Sequence, residues 1–279
     1  MKVIKGVVTD KERAFYGESD AKFCSCEFSG AADGESALKE TRNIAVEDCR
    51  FLLRYPLWHT ESAKIARSVM AETCRAPLWY DRDVNIQNCE INGTKALREC
   101  EGVTLGLLKI KSDEFGWKCR DINIYDVSLV SSYPFFLTEN VYAEKLDMTA
   151  KYSFQYVKNV VISNSYLDTK DAFWHSENVT VRNSVIKGEY LGWYSKGLTL
   201  ENCKITGTQP LCYARDLKMI NCETEGCDLS FERSTVDVEV KGGIVSVKNP
   251  VGRIVADDIG EIIKDEFARG DCEIIIRKR

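Results

Sequence analysis

The chain has 279 residues, of which 44% are hydrophobic and 29% charged, and its net charge is −5 at pH 7. This size and composition allow a long buried core. The acidic balance argues against a nucleic-acid partner or an anionic membrane. Residues 1–20 contain no apolar stretch long enough for a signal peptide, and nothing downstream approaches a membrane span. We therefore expect a soluble, cytoplasmic protein.

Residues 1–40 show no fixed period, and we predict that they form an N-terminal cap and the first turn of a solenoid. A solenoid exposes open sheet edges unless its ends are covered. The spacing of Phe23, Ile44 and Ile65 predicts early turns that are slightly longer than those that follow.

A strict repeat of nineteen residues follows, and one position of every repeat, from Ile65 and Val84 onward, is aliphatic. The members are Ile65, Val84, Val103, Ile122, Val141, Val160, Val179, Leu198, Leu217 and Val236. The position two residues later is also apolar and the residue between is mostly polar, which indicates a short β-strand in each repeat. Nineteen residues fit one turn of a β-helix. A left-handed hexapeptide helix would instead show apolar residues every six positions. We predict an all-β, single-stranded parallel β-helix.

Each predicted turn has the same order of residue types. A corner rich in Asn follows the first strand, a second apolar position follows the corner, and Asp, Asn or Gly precedes the next strand. One column alternates in sign until its last member, which indicates a surface ladder of opposite charges. Its members are Arg82, Glu101, Arg120, Glu139, Lys158, Glu177, Lys196 and Arg215.

Most of the twelve cysteines follow the repeat. Cys89, Cys203 and Cys222 share one position, which indicates a column of small residues in a tight inner corner. Neighbouring members such as Cys203 and Cys222 are close enough in the predicted stack for a disulfide. Reduced core thiols are the favoured interpretation without a signal peptide. No Cys-x-x-Cys pair or His/Cys cluster occurs, so we expect no metal site and no cofactor.

Three adjacent columns of each turn are aromatic. The first holds Phe135, Phe154 and Phe173; the second holds Trp79, Trp117, Phe136, Trp174, Trp193 and Phe231; the third holds Tyr80, Tyr156, His175, Tyr194 and Tyr213. Neighbouring residues of a strand point in opposite directions, so at least one column must face outward or into a groove. Outward rings suit the apolar faces of sugars, a partner protein or a second copy. The alternative is that most rings belong to the core or its edge.

Acidic, basic and phenolic groups accompany these aromatics in the central turns. Paired carboxylates near Lys and Tyr can act as general acid and base, although such residues also mix on any solvated surface. The catalytic candidates are Asp113, Glu114, Asp168, Asp171, His175 and Glu189. The ligand-binding candidates are Trp117, Tyr133, Lys151, Tyr152, Tyr156, Lys170, Trp174, Tyr190, Trp193 and Tyr194. His59 lies six turns before His175, at ~29 Å for ~4.8 Å per turn, too far for one site.

After Gly242 the columns dissolve, and residues 242–279 are predicted to form the last turns and a C-terminal cap that ends in a basic tail from Arg277. No linker is visible between 41–241 and either end. We therefore predict one β-helix domain over residues 1–279.

Several segments of the chain resemble the bacterial domain-of-unknown-function family 3737. They are Gly34-Glu-Ser-Ala-Leu-Lys-Glu40, Leu53-Arg-Tyr-Pro-Leu-Trp-His59, Arg75-Ala-Pro-Leu-Trp-Tyr80, Phe115-Gly-Trp-Lys118 and Gly207-Thr-Gln-Pro-Leu-Cys-Tyr213. The resemblance covers essentially the whole chain. It implies a right-handed parallel β-helix (solenoid), similar to the pectin-lyase superfamily, and it implies no particular activity or catalytic residue. Fold alone does not imply the chemistry of that superfamily.

Three hypotheses for function follow. A carbohydrate hydrolase or lyase requires the acids to converge beside the aromatic groove, and a carbohydrate-binding protein requires the aromatics alone. A structural or self-associating scaffold, such as a homo-oligomer, requires only the flat repetitive surface.

Overall fold

A computed structural model describes residues 1–277 as two compact units, Met1–Tyr142 (unit 1) and Ala143–Arg279 (unit 2). The fold is an all-β parallel solenoid with turns of about 19 residues, and the described residues contain no helix. Residues 278 and 279 of the predicted C-terminal cap lie outside the described residues. The strands of unit 1 are β1 (Lys2–Lys5), β2 (Val8–Thr9), β3 (Ala21–Cys24), β4 (Glu27–Phe28), β5 (Arg42–Glu47), β6 (Arg50–Phe51), β7 (Leu57–Trp58), β8 (Glu61–Ala66), β9 (Val69–Met70), β10 (Leu78–Trp79), β11 (Arg82–Gln87), β12 (Glu90–Ile91), β13 (Glu101–Lys111) and β14 (Arg120–Ser131).

Strand β15 (Glu139–Tyr152) contains the boundary between the units. The remaining strands are β16 (Lys158–Ser163), β17 (Tyr166–Lys170), β18 (Glu177–Arg182), β19 (Val185–Lys187), β20 (Lys196–Glu201), β21 (Lys204–Thr206), β22 (Leu217–Glu225), β23 (Thr235–Lys241), β24 (Gly243–Lys248), β25 (Val251–Ala256), β26 (Asp258–Ile263) and β27 (Cys272–Ile276).

The predicted aliphatic columns form parallel, in-register ladders inside each unit. In unit 1, Val84 pairs with Val103, and Val103 pairs with Ile122. In unit 2, Val160 pairs with Val179, and Val179 pairs with Leu198. All these residues are buried. Removing such columns of aliphatic side chains from water is the main favourable contribution to folding.

The register predicted for the longer early turns is wrong. Ile65 pairs with Val46 and with Ile86, so it belongs to the second inward column, while Ala63 lies beside Val84. Phe23 pairs with Val46 rather than with Ile44. Turn length therefore varies, and the extra residues lie in connections such as that between Met70 and Leu78. Because both inward positions of a strand are apolar, a shift of two residues leaves the sequence pattern unchanged.

The corners of each turn use left-handed backbone, as the Asn-rich column predicts. In unit 2, Asn164, Asn183, Asn202 and Asn221 have φ between 49° and 54°. Asn tolerates this conformation better than most residues. The side-chain amide of Asn221 donates to Asn202 Oδ1 at 2.6 Å, and that of Asn202 donates to Asn183 Oδ1 at 3.1 Å. The ladder therefore links neighbouring turns.

Most cysteines occupy buried small-residue columns, Cys24 and Cys272 are partly exposed, and all twelve are free thiols. Ser and Thr alternate with them at the same positions. The amide of Cys49 donates to Ser68 Oγ at 3.0 Å, and the amide of Ser68 donates to Cys89 Sγ at 3.3 Å. These columns place a small polar atom where a backbone N–H at a corner would otherwise lack a partner.

Candidate functional site

The three predicted aromatic columns differ in exposure because most of their residues lie at a corner rather than in a strand; Trp79, in β10, is an exception. Phe135, Phe154 and Phe173 are fully buried and have φ between 53° and 61°. Phe231 was predicted for the second column, but it is buried with φ of 63° and belongs with these core rings. An extra residue between Tyr213 and Arg233 moves Phe231 by one position.

The third column of unit 2 forms a continuous stack, here called the ring ladder: Tyr156, His175, Tyr194 and Tyr213. The first three are exposed and Tyr213 is half-buried. Centroid distances along the ring ladder are 4.9, 4.9 and 5.0 Å, and interplanar angles are 8°, 7° and 14°. Tyr156 is 44% exposed and Tyr194 is 48% exposed. The interior ring faces are therefore covered by neighbouring rings. The ring edges of His175 and Tyr194 reach solvent, whereas the half-buried Tyr213 hydroxyl hydrogen-bonds with Glu232.

This geometry differs from the sequence expectation that sugars would lie flat on outward ring faces. Each residue of the ring ladder also has a left-handed backbone, with φ from 52° to 59°. Successive turns therefore project their rings in the same direction at the spacing of the strands. A ligand beside the ring ladder meets hydrogen-bonding edges rather than apolar faces.

The second column of unit 2 packs partly beneath the ring ladder. The indoles of Trp174 and Trp193 are parallel within 3° at 5.4 Å. Trp174 Nε1 donates to the Tyr190 carbonyl at 2.7 Å, and Trp193 Nε1 donates to the Gln209 carbonyl at 2.8 Å. Trp193 contacts Tyr190 edge-on at 5.3 Å and Tyr213 edge-on at 5.4 Å. Trp193 therefore connects Tyr190 with the ring ladder.

Asp171 has the most distinctive carboxyl group of the predicted unit 2 candidates. It is only 7% exposed, and its Oδ1 atom is buried without a hydrogen-bond partner. Burial raises the pKa of Asp171, while Lys170 and Lys151 oppose this rise and Glu189 adds to it. The main cause is thus removal from water rather than the proximity of a second acid.

Charged and phenolic candidates surround this position. Lys170 Nζ lies 2.7 Å from Glu189 Oε2 and 5.7 Å from the centroid of the Tyr190 ring. The hydrogen bond to Glu189 raises the pKa of Lys170, so this ammonium group remains charged. Lys151 lies 5.1 Å from the Tyr152 ring centroid. Asp168 instead points outward from β17 and pairs with Lys187 at 3.2 Å.

The predicted residues of unit 1 form another cluster. Glu114 pairs with Arg98 at 3.1 Å and with Lys95 at 3.5 Å, two cations that the sequence analysis did not include. The Arg98 guanidinium also lies 5.2 Å from the Trp117 ring centroid. Asp113 accepts a hydrogen bond from Ser132 at 3.0 Å, and Trp117 Nε1 donates to the carbonyl of Tyr133 at 2.6 Å. Glu114 is therefore already neutralised by cations.

The family model described as "Protein of unknown function (DUF3737)" matches residues 2–277. The chain belongs to this family. A comparison with curated proteins returned no match.

Solved β-helix structures resemble this DUF3737 chain at low identity. The surface adhesin PfbA of Streptococcus pneumoniae is 12% identical, with a TM-score of 0.37 and coverage of 97% of this chain and 78% of the adhesin. The A-module of a mannuronan C-5 epimerase from Azotobacter vinelandii is 12% identical, with a TM-score of 0.25 and coverage of 99% and 81%. Tailspike protein 3 of bacteriophage CBA120 is 8% identical, with a TM-score of 0.27 and coverage of 98% and 54%.

A cleft in unit 1 of this DUF3737 chain was missed by the sequence analysis. It lies in unit 1 beside the stacked rings of His59 and Tyr80, whose centroids are 5.0 Å apart, and has a volume of about 410 Å³. Glu40 and Glu99 also line it, and a hydrogen bond with Glu99 adds to the effect of burial in raising the pKa of Tyr80. The signal was present in the sequence, because Glu40, His59, Tyr80 and Glu99 share one position of the repeat.

Among residues 1–277, no group of three or more His, Cys, Asp or Glu is arranged to hold a metal ion. In the same range, no helix is long and apolar enough to cross a bilayer.

Proposed function

We propose that unit 2 binds an extended carbohydrate chain along the ring ladder. The observation that carries this proposal is the even stack of Tyr156, His175, Tyr194 and Tyr213, with 4.9 to 5.0 Å between successive rings. Phenol hydroxyls and imidazole nitrogens both donate and accept hydrogen bonds. An extended polysaccharide repeats its hydroxyl groups at a comparable interval, so one turn of the protein can serve one sugar unit.

Rigidity supports this proposal. The ring ladder stands on left-handed corners whose backbone bonds to the next turn: the amide of His175 donates to the Trp193 carbonyl at 3.0 Å, and that of Tyr194 to the Cys212 carbonyl at 3.2 Å. Rings held in this way lose little conformational entropy when a ligand binds. A flexible glycan therefore meets preorganised polar groups.

Asp171 supports a catalytic extension of the same proposal. A buried carboxyl with a raised pKa stays protonated to higher pH than a solvated one, which is the property of a general acid in glycosidic cleavage. Lys170 and Glu189 form an ion pair at 2.7 Å in the neighbouring column. In this extension, Asp171 donates a proton to the leaving oxygen as the glycosidic bond breaks, while a water molecule adds to the anomeric carbon and releases its own proton to solvent.

Binding of defined oligosaccharides, measured by calorimetry, tests the proposal. Tyr194→Ala is expected to weaken binding, whereas Tyr80→Ala, at the same repeat position in unit 1, is expected to leave it unchanged. A stable homo-oligomer in which the ring ladder is protected from solvent, with no glycan bound, would replace this proposal with the scaffold function. For the catalytic extension, Asp171→Asn is expected to abolish turnover and retain binding.

A further inference from the structure

One surface column of the solenoid carries alternating charges in both units. In unit 1, Arg42 lies 3.7 Å from Glu61, Arg82 lies 3.9 Å from Glu101, and Arg120 lies 3.3 Å from Glu139. In unit 2, Lys158 lies 3.8 Å from Glu177. Opposite charges on neighbouring strands attract and like charges repel, so this alternation favours the observed register.

Lys196 and Arg215 break the alternation. They are direct neighbours in a parallel bridge, and both are exposed. Neither has a carboxylate within ion-pair distance among the described residues. The next residue of the column is Thr235. Its amide donates to the Ala214 carbonyl, just as the Arg215 amide one turn earlier donates to the Ser195 carbonyl. Two cations therefore stack on each other with no acid above them.

The acids around this pair form no ion pair with it among residues 1–277, although Glu177 is the ladder neighbour of Lys196. Glu177, the next member below Lys196, lies 3.8 Å from Lys158. Asp216 follows Arg215 in the chain, is exposed, and makes no ion pair within residues 1–277. Since an acid at position 215 would continue the alternation and remove the repulsion, the present pair carries a cost in stability.

The pair lies at the edge of the ring ladder. Lys196 is separated from Tyr194 only by the buried Ser195. In the next turn, Arg215 is separated from Tyr213 only by the buried Ala214. The rings of Tyr194 and Tyr213 are stacked at 5.0 Å. A polymer on these two turns of the ring ladder therefore passes next to both cations.

We propose that Lys196 and Arg215 form an anion-binding site that selects glycans carrying carboxylate or sulfate groups. This inference rests on the proposed function, because it assumes that a glycan occupies the ring ladder. The Arg guanidinium can hold a carboxylate or sulfate through two parallel hydrogen bonds, and the Lys ammonium adds a point charge. An anionic group bound there offsets the repulsion between the two cations.

The variant Arg215→Glu tests this site, since it completes the alternation and removes a cation. Its melting temperature is expected to rise by about 1–2 °C, because a like-charge contact becomes an attractive one. Its affinity for an acidic glycan is expected to fall about tenfold, the scale of one charge-assisted hydrogen bond. The matched control, Arg82→Glu, breaks the pair with Glu101 in unit 1. It is expected to lower the melting temperature and leave glycan affinity unchanged.

The ligands are a polyuronate, a sulfated glycan and a neutral glucan, each titrated by calorimetry at low and high salt. Tighter, salt-dependent binding of either acidic polymer, lost in Arg215→Glu, supports the site and identifies its anion. Equal affinity of wild type and Arg215→Glu for every acidic polymer overturns the anion site. If Tyr194→Ala still weakens binding in that case, the proposed function stands. If no polymer binds, both proposals are wrong.

Discussion

The imidazole ring of His175 lies parallel to the phenol ring of Tyr194, with 4.9 Å between centroids and 7° between planes. Tyr156 covers the opposite face of the same imidazole at 4.9 Å. His175 is therefore enclosed on both faces and reaches solvent through its ring edge. Its contribution to a ligand is a hydrogen bond from an imidazole nitrogen.

This arrangement predicts that the ring and the hydroxyl of Tyr194 act separately. Tyr194→Phe retains the stacked ring, so its stability is expected to match that of the wild type. Loss of the hydroxyl is expected to weaken glycan binding about fivefold, since one hydrogen bond is worth about 1 kcal/mol. Tyr194→Ala is expected to lose about 0.5–1.5 kcal/mol of stability as well, the scale of an aromatic pair.

Chemical denaturation and calorimetry with an oligosaccharide measure the two effects. Tyr80→Phe in unit 1 is the matched control. Wild-type affinity in Tyr194→Phe would show that ring edges do not contact the ligand.

Asp171→Asn is predicted to change the pH dependence of stability. The pKa of Asp171 is raised in the folded protein, mainly by burial. Folding then favours the protonated form, so its contribution to stability is present at low pH and is lost as pH rises through the raised pKa. Asn cannot ionise, so Asp171→Asn does not lose stability in this way, and Asn tolerates the left-handed backbone at φ of 50°. The melting temperature of Asp171→Asn relative to that of the wild type is therefore expected to increase as pH rises.

Asp168→Asn provides the comparison for this experiment. Asp168 is partly exposed and pairs with Lys187 at 3.2 Å. Its replacement removes an attractive contact and is expected to destabilise slightly at neutral pH. A parallel pH profile for wild type and Asp171→Asn would contradict the burial argument.

The regular turns could be predicted because alternation and period coincide. Val103 and Ile122 occupy the same position of successive turns, both point inward, and they pair as expected. Ile65 could not be placed, because its strand offers two inward positions and Ala63 is too small to mark the other. Connection length decides between the two registers, and connections such as that between Met70 and Leu78 carry no periodic signal.

The candidate site was predicted by position and not by geometry. The shared offset of Tyr156, His175 and Tyr194 was visible in the sequence, whereas the direction of their rings depends on left-handed corners. The burial of Asp171 was not visible either. Its neighbours in the chain, Lys170 and Ala172, do not distinguish a solvated loop from a covered carboxyl.

The cysteines are predicted to be reduced and slow to react in the native protein. Burial raises the pKa of Cys49, Cys74 and Cys212 to about 12, so few of these thiols are ionised at neutral pH. The thiolate is the reactive form. Cys24 and Cys272 are the least buried, and we expect them to be alkylated first.

Mass spectrometry after alkylation checks this prediction. Without a reductant, denatured protein is expected to incorporate twelve labels, one for each cysteine. A smaller number would reveal a disulfide, for which Cys203 and Cys222 in neighbouring turns are the first pair to examine.

Asp81 is predicted to act as a neutral hydroxyl-like group in the core. It is fully buried, its Oδ1 accepts the Thr60 amide at 2.7 Å, and its Oδ2 has no partner. Between Thr41 and Thr138 its column otherwise holds Thr and Cys, and the amide of Cys100 donates in the same way to Cys119 Sγ at 3.4 Å. Burial raises the pKa of Asp81 well above its ordinary value. A protonated carboxyl therefore takes the place of a Thr hydroxyl.

Asp81→Ser tests this role because Ser keeps a small hydroxyl and cannot ionise. Between the ordinary pKa of Asp and the raised native value, the unfolded chain is ionised at this position and the folded chain is protonated. Wild-type stability then falls by up to about 1.4 kcal/mol per pH unit from this group alone. Asp81→Ser is expected to lack that slope and to be the more stable protein at neutral pH. Denaturant titrations at several pH values measure the slope of unfolding free energy against pH, and Asp83→Asn, at an exposed position, is the control. Equal slopes for wild type and Asp81→Ser would show that Asp81 is not protonated in the folded state.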